Sequence, residues 1–188
     1  GWTFASERHF AEGGFQAELL EAASAAGLQI FERDGRIYCY PMLITVNARD
    51  LAVMIDRKPE RRVRPSALVR ILADRQKQPQ RFPVGQFLET LWSAYGLVAV
   101  GQDRSWKVDQ SKRGPVVPLV DIYDALTLRP GASRDYPMPE FTRDIHLLDR
   151  QPDLATRDGW RFSLPAATAT KGGRRLMVVD QEGRERIY

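Results

Sequence analysis

The chain has 188 residues, 43% apolar and 28% charged, with 28 Lys+Arg against 24 Asp+Glu and a net charge of +4. It is long enough to bury a core and too apolar for a disordered chain. No apolar run reaches the roughly 18–20 residues that cross a bilayer, which argues against an integral membrane protein. A single cysteine, Cys39, excludes a disulfide framework and a multi-cysteine zinc module, and two histidines, His9 and His146, leave little for a His-rich metal site. The opening Gly1-Trp2 has no basic-then-apolar segment of the signal-peptide kind, so the expectation is a cytoplasmic protein.

Phe15, Leu19, Ala22, Ala23 and Ala26 make one apolar helical face, with Gly27 as its left-handed terminator. The runs 28–33 and 36–40 flank Asp34-Gly35, the pair that a tight hairpin turn favours. Runs 42–46 and 51–55 predict a second strand pair, leaving a short buried helix open for 51–55. Pro65 starts a helix with Leu68, Ile71 and Leu72 inward. A longer helix follows, with Val84, Phe87, Leu88, Leu91, Trp92 and Tyr95 in one stripe, ending at Gly96 and packing on its predecessor. Val98, Val100, Trp106 and Val108 alternate around residues 101–104 as in a hairpin.

Beyond Lys112-Arg113-Gly114-Pro115, Leu119, Ile122, Tyr123 and Leu126 predict a short helix. Residues 132–158, with Pro137, Pro139 and Pro152, read as an irregular crossing segment, and His146 as part of a solvated loop. Run 160–164 alternates like a strand, and 176–179 with 186–188 predict a terminal hairpin. Helices and hairpins come in blocks, which predicts an α+β fold: an N-terminal helix plus antiparallel strands, a central helix pair with a hairpin, and C-terminal strands. Residues 1–114 form the helix, hairpin and basic region. Residues 115–188 hold the crossing segment and terminal strands, packed on the first region as one unit.

Charge is unevenly spread. Residues 57–81 hold nine bases and two acids, whereas residues 1–56 hold four bases and eight acids. Arginine supplies 23 of the 28 bases, so forked contacts to phosphate are available. Such a cluster is an electrostatic footprint for nucleic acid, DNA first. The expected contacts are Arg57, Lys58, Arg61, Arg62, Arg64 and Arg70, with Arg104 and Lys107 on the 98–108 hairpin. The bland account of the same residues is a solvated charged loop before a helix.

The order helix, turn, helix, hairpin over 65–109 resembles a winged helix-turn-helix, and the resemblance makes 84–95 the recognition helix. Its exposed face offers only Gln86, Glu89, Thr90 and Ser93, without the arginines that read base edges, so the contacts expected are to the backbone. Leu51–Ile55 followed by Asp56-Arg57-Lys58, after a helix with Glu18 and Glu21, resembles the core of restriction-type nucleases. That resemblance implies Asp56, Lys58 and a second acid, Asp34, around Mg²⁺; otherwise no cofactor is expected. A third reading is a protein-docking module, with Tyr136, Met138 and Phe141 exposed on segment 132–158. Cys39, inside an apolar strand, reads as a core thiol.

Overall fold

Ile37, Ile44 and Ile55 stand opposite one another across three antiparallel strands. In the computed structural model of the chain, which describes residues 8–33, 35–78, 82–102, 114–152, 154–164, 176–180 and 182–187, that row is the middle of the first of two cores. The strands are β1 (Phe31–Arg33), β2 (Arg36–Cys39), β3 (Met42–Asn47), β4 (Ala52–Ile55) and β5 (Lys58–Glu60), a meander in which each strand pairs with its chain neighbour. Gly35 takes a φ of 71°, as the hairpin requires, and Asp34 lies outside the described residues. The Tyr40–Pro41 peptide is cis.

Two helices join Ile37, Ile44, Val53 and Ile55 in this core. α1 (Gly14–Ala25) buries Phe15, Leu19 and Ala23, a stripe at every fourth residue. It ends as the sequence predicts: Gly27 has a φ of 68°, and Leu28 N–H closes on Ala23 O at 2.9 Å. α2 (Pro65–Lys77) begins with proline in its first turn and buries Leu68, Val69 and Leu72. Gln76 on its last turn donates to Tyr40 O at 2.9 Å, tying the helix to the β2–β3 turn. Cys39 is fully buried, as expected, and burial pushes its thiol up to about 12.

The chain divides into two units, Gly1–Gln80 with Gln181–Gly183, and Arg81–Asp180 with Arg184–Tyr188. The second unit holds α3 (Val84–Gln102), α4 (Leu119–Leu126), the single turn α5 (Ala132–Asp135), α6 (Met138–Asp149) and the antiparallel pair β6 (Met177–Val179) and β7 (Glu185–Ile187). Leu88 and Leu91 of α3, Ile122 and Tyr123 of α4, Phe141, Ile145 and Leu148 of α6, and Val178 of β6 share its core. Helices with an antiparallel sheet make this an α+β protein. No helix among the described residues is long and apolar enough to cross a membrane.

Five local expectations need correction. α3 does not stop at Gly96 but runs to Gln102, so Val98 and Val100 are helical and supply no first arm of a hairpin. An isolated glycine weakens a helix by about 1 kcal/mol without ending it. Leu68 and Leu72 belong to one core and Leu88 and Leu91 to the other, so the predicted helix pair does not share a core. Much of segment 132–158 is helix α6, because Pro139 falls in a first turn, where its missing N–H is not needed. Phe141 is therefore fully buried, Tyr136 and Met138 pack against the same core, and His146 is 2% exposed rather than in a solvated loop. Finally, 160–164 is not a strand; a lone bridge joins Ala155 to Arg161. Strand β5, by contrast, carries too few apolar residues to be seen in the sequence.

Candidate nucleic-acid interface

The basic cluster is built on two supports, the β4–β5 hairpin and helix α2. Asp56 and Arg57 form the two-residue turn, both left-handed, with φ of 47° and 66°. Aspartate tolerates that region, and its side chain helps to hold the turn. Its Oδ1 accepts the Leu43 N–H at 3.0 Å while its own N–H donates to Leu43 O at 2.9 Å. The carboxylate extends the β3–β4 ladder by one pair. Arg57 and Lys58 at the tip are both exposed.

After β5 the chain turns toward α2 through residues 61–64. Glu60 fixes that turn: it accepts the Arg62 backbone N–H at 2.9 Å and both Nε and Nη2 of the same residue at 2.9 Å. These hydrogen bonds to Arg62 hold the Glu60 carboxyl down to about 2. Arg61 and Arg64 are exposed, and Arg64 is the N-cap of α2, its carbonyl accepting the Leu68 N–H at 2.9 Å. No acid lies in the first turn of α2 and no side chain caps it. Its positive dipole end therefore follows Arg61, Arg62 and Arg64 with no acid in its own first turn.

Arg70 is exposed on the outer side of α2, where Leu68, Val69 and Leu72 face inward. Arg75 and Lys77 lie in the last turn. At 1.5 Å per residue the helix measures about 20 Å, so bases flank it at both ends and midway. Exposed Asp74 is the acid within it.

Arg57, Lys58, Arg61, Arg62, Arg64 and Arg70 are all exposed, over residues 57–70 of the first unit. Arg104 and Lys107 lie outside the described residues, as does Asp34. Asp56 is placed at a turn, engaged by the backbone of Leu43, with Lys58 across the turn on the next strand. Asp50 is tied to Asn47: its Oδ2 accepts from Asn47 Nδ2 at 2.7 Å and its backbone N–H donates to Asn47 Oδ1 at 3.2 Å. Among the described residues no group of three or more His, Cys, Asp and Glu is arranged to hold a metal ion. Arg75 and Lys77, counted in the basic cluster 57–81 without being named as contacts, both lie in the last turn of α2, Lys77 exposed and Arg75 half-buried. The sequence reading passed over the turn before Trp160, signalled by Asp158-Gly159. Compared with known protein families, curated proteins and solved structures, the chain matches none.

Proposed function

We propose that the first unit binds nucleic acid, DNA in the first instance, through its phosphates. The observation that carries this reading is the exposure of Arg57, Lys58, Arg61, Arg62, Arg64 and Arg70 along one short stretch that spans a paired hairpin and a helix. Glu60 pairs with Arg62 and orients that guanidinium. Phosphate contacts of this kind need positive charge at a spacing set by the backbone and no base readout, and arginine forks supply it.

The test is the salt dependence of binding to a labelled duplex. Between about 50 and 200 mM salt, neutralising several phosphates makes the affinity fall steeply, with a log–log slope of about −0.9 per phosphate. Changing Arg61, Arg64 and Arg70 together to Ala is expected to flatten that slope by about 2 to 3 and to weaken binding across all sequences alike. A flat slope in the unaltered protein, or an unchanged slope in the triple variant, overturns the proposal.

A further inference from the structure

The second unit carries a column of three stacked rings, two of which lie outside its core. Trp160 lies on Trp92 with ring centroids 4.8 Å apart and planes at 23°, and Trp92 lies on Tyr95 at 5.4 Å and 17°. Tyr95 touches the core, whereas neither indole belongs to it, and all three rings are part-exposed. Trp92 and Tyr95 are three residues apart on α3, so they share one side of the helix. Trp160 comes from elsewhere and is held in place by its own turn. Thr156 N–H donates to Trp160 O at 2.8 Å, and Trp160 N–H donates to Thr156 Oγ1 at 3.0 Å. Gly159, with a φ of 81°, makes the bend. Arg157 N–H donates to Glu89 Oε1 at 2.7 Å and ties the turn to α3. At the other end the Tyr95 hydroxyl donates to Pro115 O at 2.9 Å.

The result is a preorganised aromatic stack, open to solvent in part, with Trp160 as its outer ring. Exposed Arg157 stands in the same turn, three residues before Trp160. A fixed, part-exposed indole with an exposed arginine on its own turn suits a flat ring that carries an anion. Of such ligands, a nucleobase on a phosphate chain meets both demands, since every base offers a π-face and every link a negative charge. Bases within a duplex are already stacked on one another. We infer that Trp160 stacks an unpaired nucleobase, so that the second unit takes single-stranded nucleic acid. The class of ligand rests on the function proposed for the first unit; the stacking does not.

The experiment compares two strands of equal length and charge, an oligodeoxythymidine and its abasic counterpart, each titrated against the whole chain. The intact strand is expected to quench tryptophan emission and to bind on the order of tenfold more tightly than the abasic one. Trp160→Ala is expected to abolish that preference. Trp160→Phe, which keeps a ring in the column, should retain the fold by circular dichroism and lose most of the quench. Equal binding of the two strands, or a full quench surviving in Trp160→Phe, overturns the inference. So does quenching by a proline-rich peptide but not by the intact strand. The two proposals fail separately. Equal strands with a steep salt slope remove the stacking alone, whereas a base preference with a flat slope removes the phosphate strip alone.

Discussion

Among the described residues, the first unit buries apolar side chains from Phe10 to Leu72, whereas the second also buries Glu140, Thr142, Asp144, His146, Thr156 and Asp180. In the first, charge stays at the surface and the core is a sheet face closed by two helix stripes. In the second, charge is part of the framework. Tyr136 donates to Asp144 Oδ2 at 2.8 Å, and Arg143 reaches Oδ1 of the same carboxylate at 2.9 Å. Burial, with Asp144 alongside, pushes the Tyr136 phenol well above its ordinary range, so it stays a donor. Asp180, with no exposed surface, accepts the Arg184 backbone N–H at 2.9 Å and pairs with the guanidinium groups of Arg184 and Arg186. The difference teaches where a charge is available for a ligand. Arg70 of α2 is exposed, whereas Arg143 and Arg184 of the second unit pair with buried carboxylates.

Truncation should expose the contrast most strongly at Phe141, the fully buried ring of α6. Phe141→Ala is expected to cost about 3–5 kcal/mol in denaturant unfolding. A loss below about 1 kcal/mol would show that α6 is not the centre of its unit. Next comes Tyr136→Phe, which removes one hydrogen bond from a buried carboxylate and should cost about 1–3 kcal/mol. An unchanged midpoint would mean that Asp144 is served well enough by Arg143.

Acid should separate the units as well, by smaller amounts. Burial, then the Arg150 and Arg186 charges, lower His146 below its ordinary 6.5, against the opposing pull of Asp180 and Asp149. A depressed histidine contributes its full stability above 6.5 and loses it as pH falls below that value, because the unfolded chain takes up the proton first. Glu60, held from 4.5 to about 2, keeps its contribution above 4.5 and loses it between those values. Thermal melts against pH should therefore show an upper limb that His146→Gln flattens and a lower limb that Glu60→Gln flattens. Swapped or absent limbs would refute the assignment. The smallest change expected is from Arg61, Arg64 and Arg70 to Ala, within about 1 kcal/mol of wild-type stability. A larger loss would make the strip structural.

Much of this was legible where a local rule decides alone. Phe15, Leu19 and Ala23 announce α1, Asp34-Gly35 and the apolar runs announce the first four strands, and Pro65 announces α2. Misreadings arose where a local signal met a tertiary one. Gly96 and the Val98/Val100 alternation suggested an end and a strand, yet α3 continues through both. Pro137 and Pro139 suggested a loop, although one of them begins a helix. Of the interface, the residue types and their clustering could be read directly. The turn that makes Asp56 a backbone partner of Leu43 could not, because it depends on a strand register set thirteen residues away. The column of Trp160 on Trp92 joins residues far apart in the chain, and no periodicity reports such a contact.

The meander has a consequence for how the chain acquires its shape. Its four connections span two, two, four and two residues, so each ladder closes over almost no intervening chain. Loop-closure entropy is then small at every step, and contacts so local are the fastest to form. Residues 31–60 can pair strand by strand as they leave the ribosome, with α1 already synthesised to cover part of the apolar face. Leu68, Val69 and Leu72 arrive last, and the arginine strip is assembled only when α2 docks. The order of synthesis thus delays the basic surface until the sheet beneath it is complete.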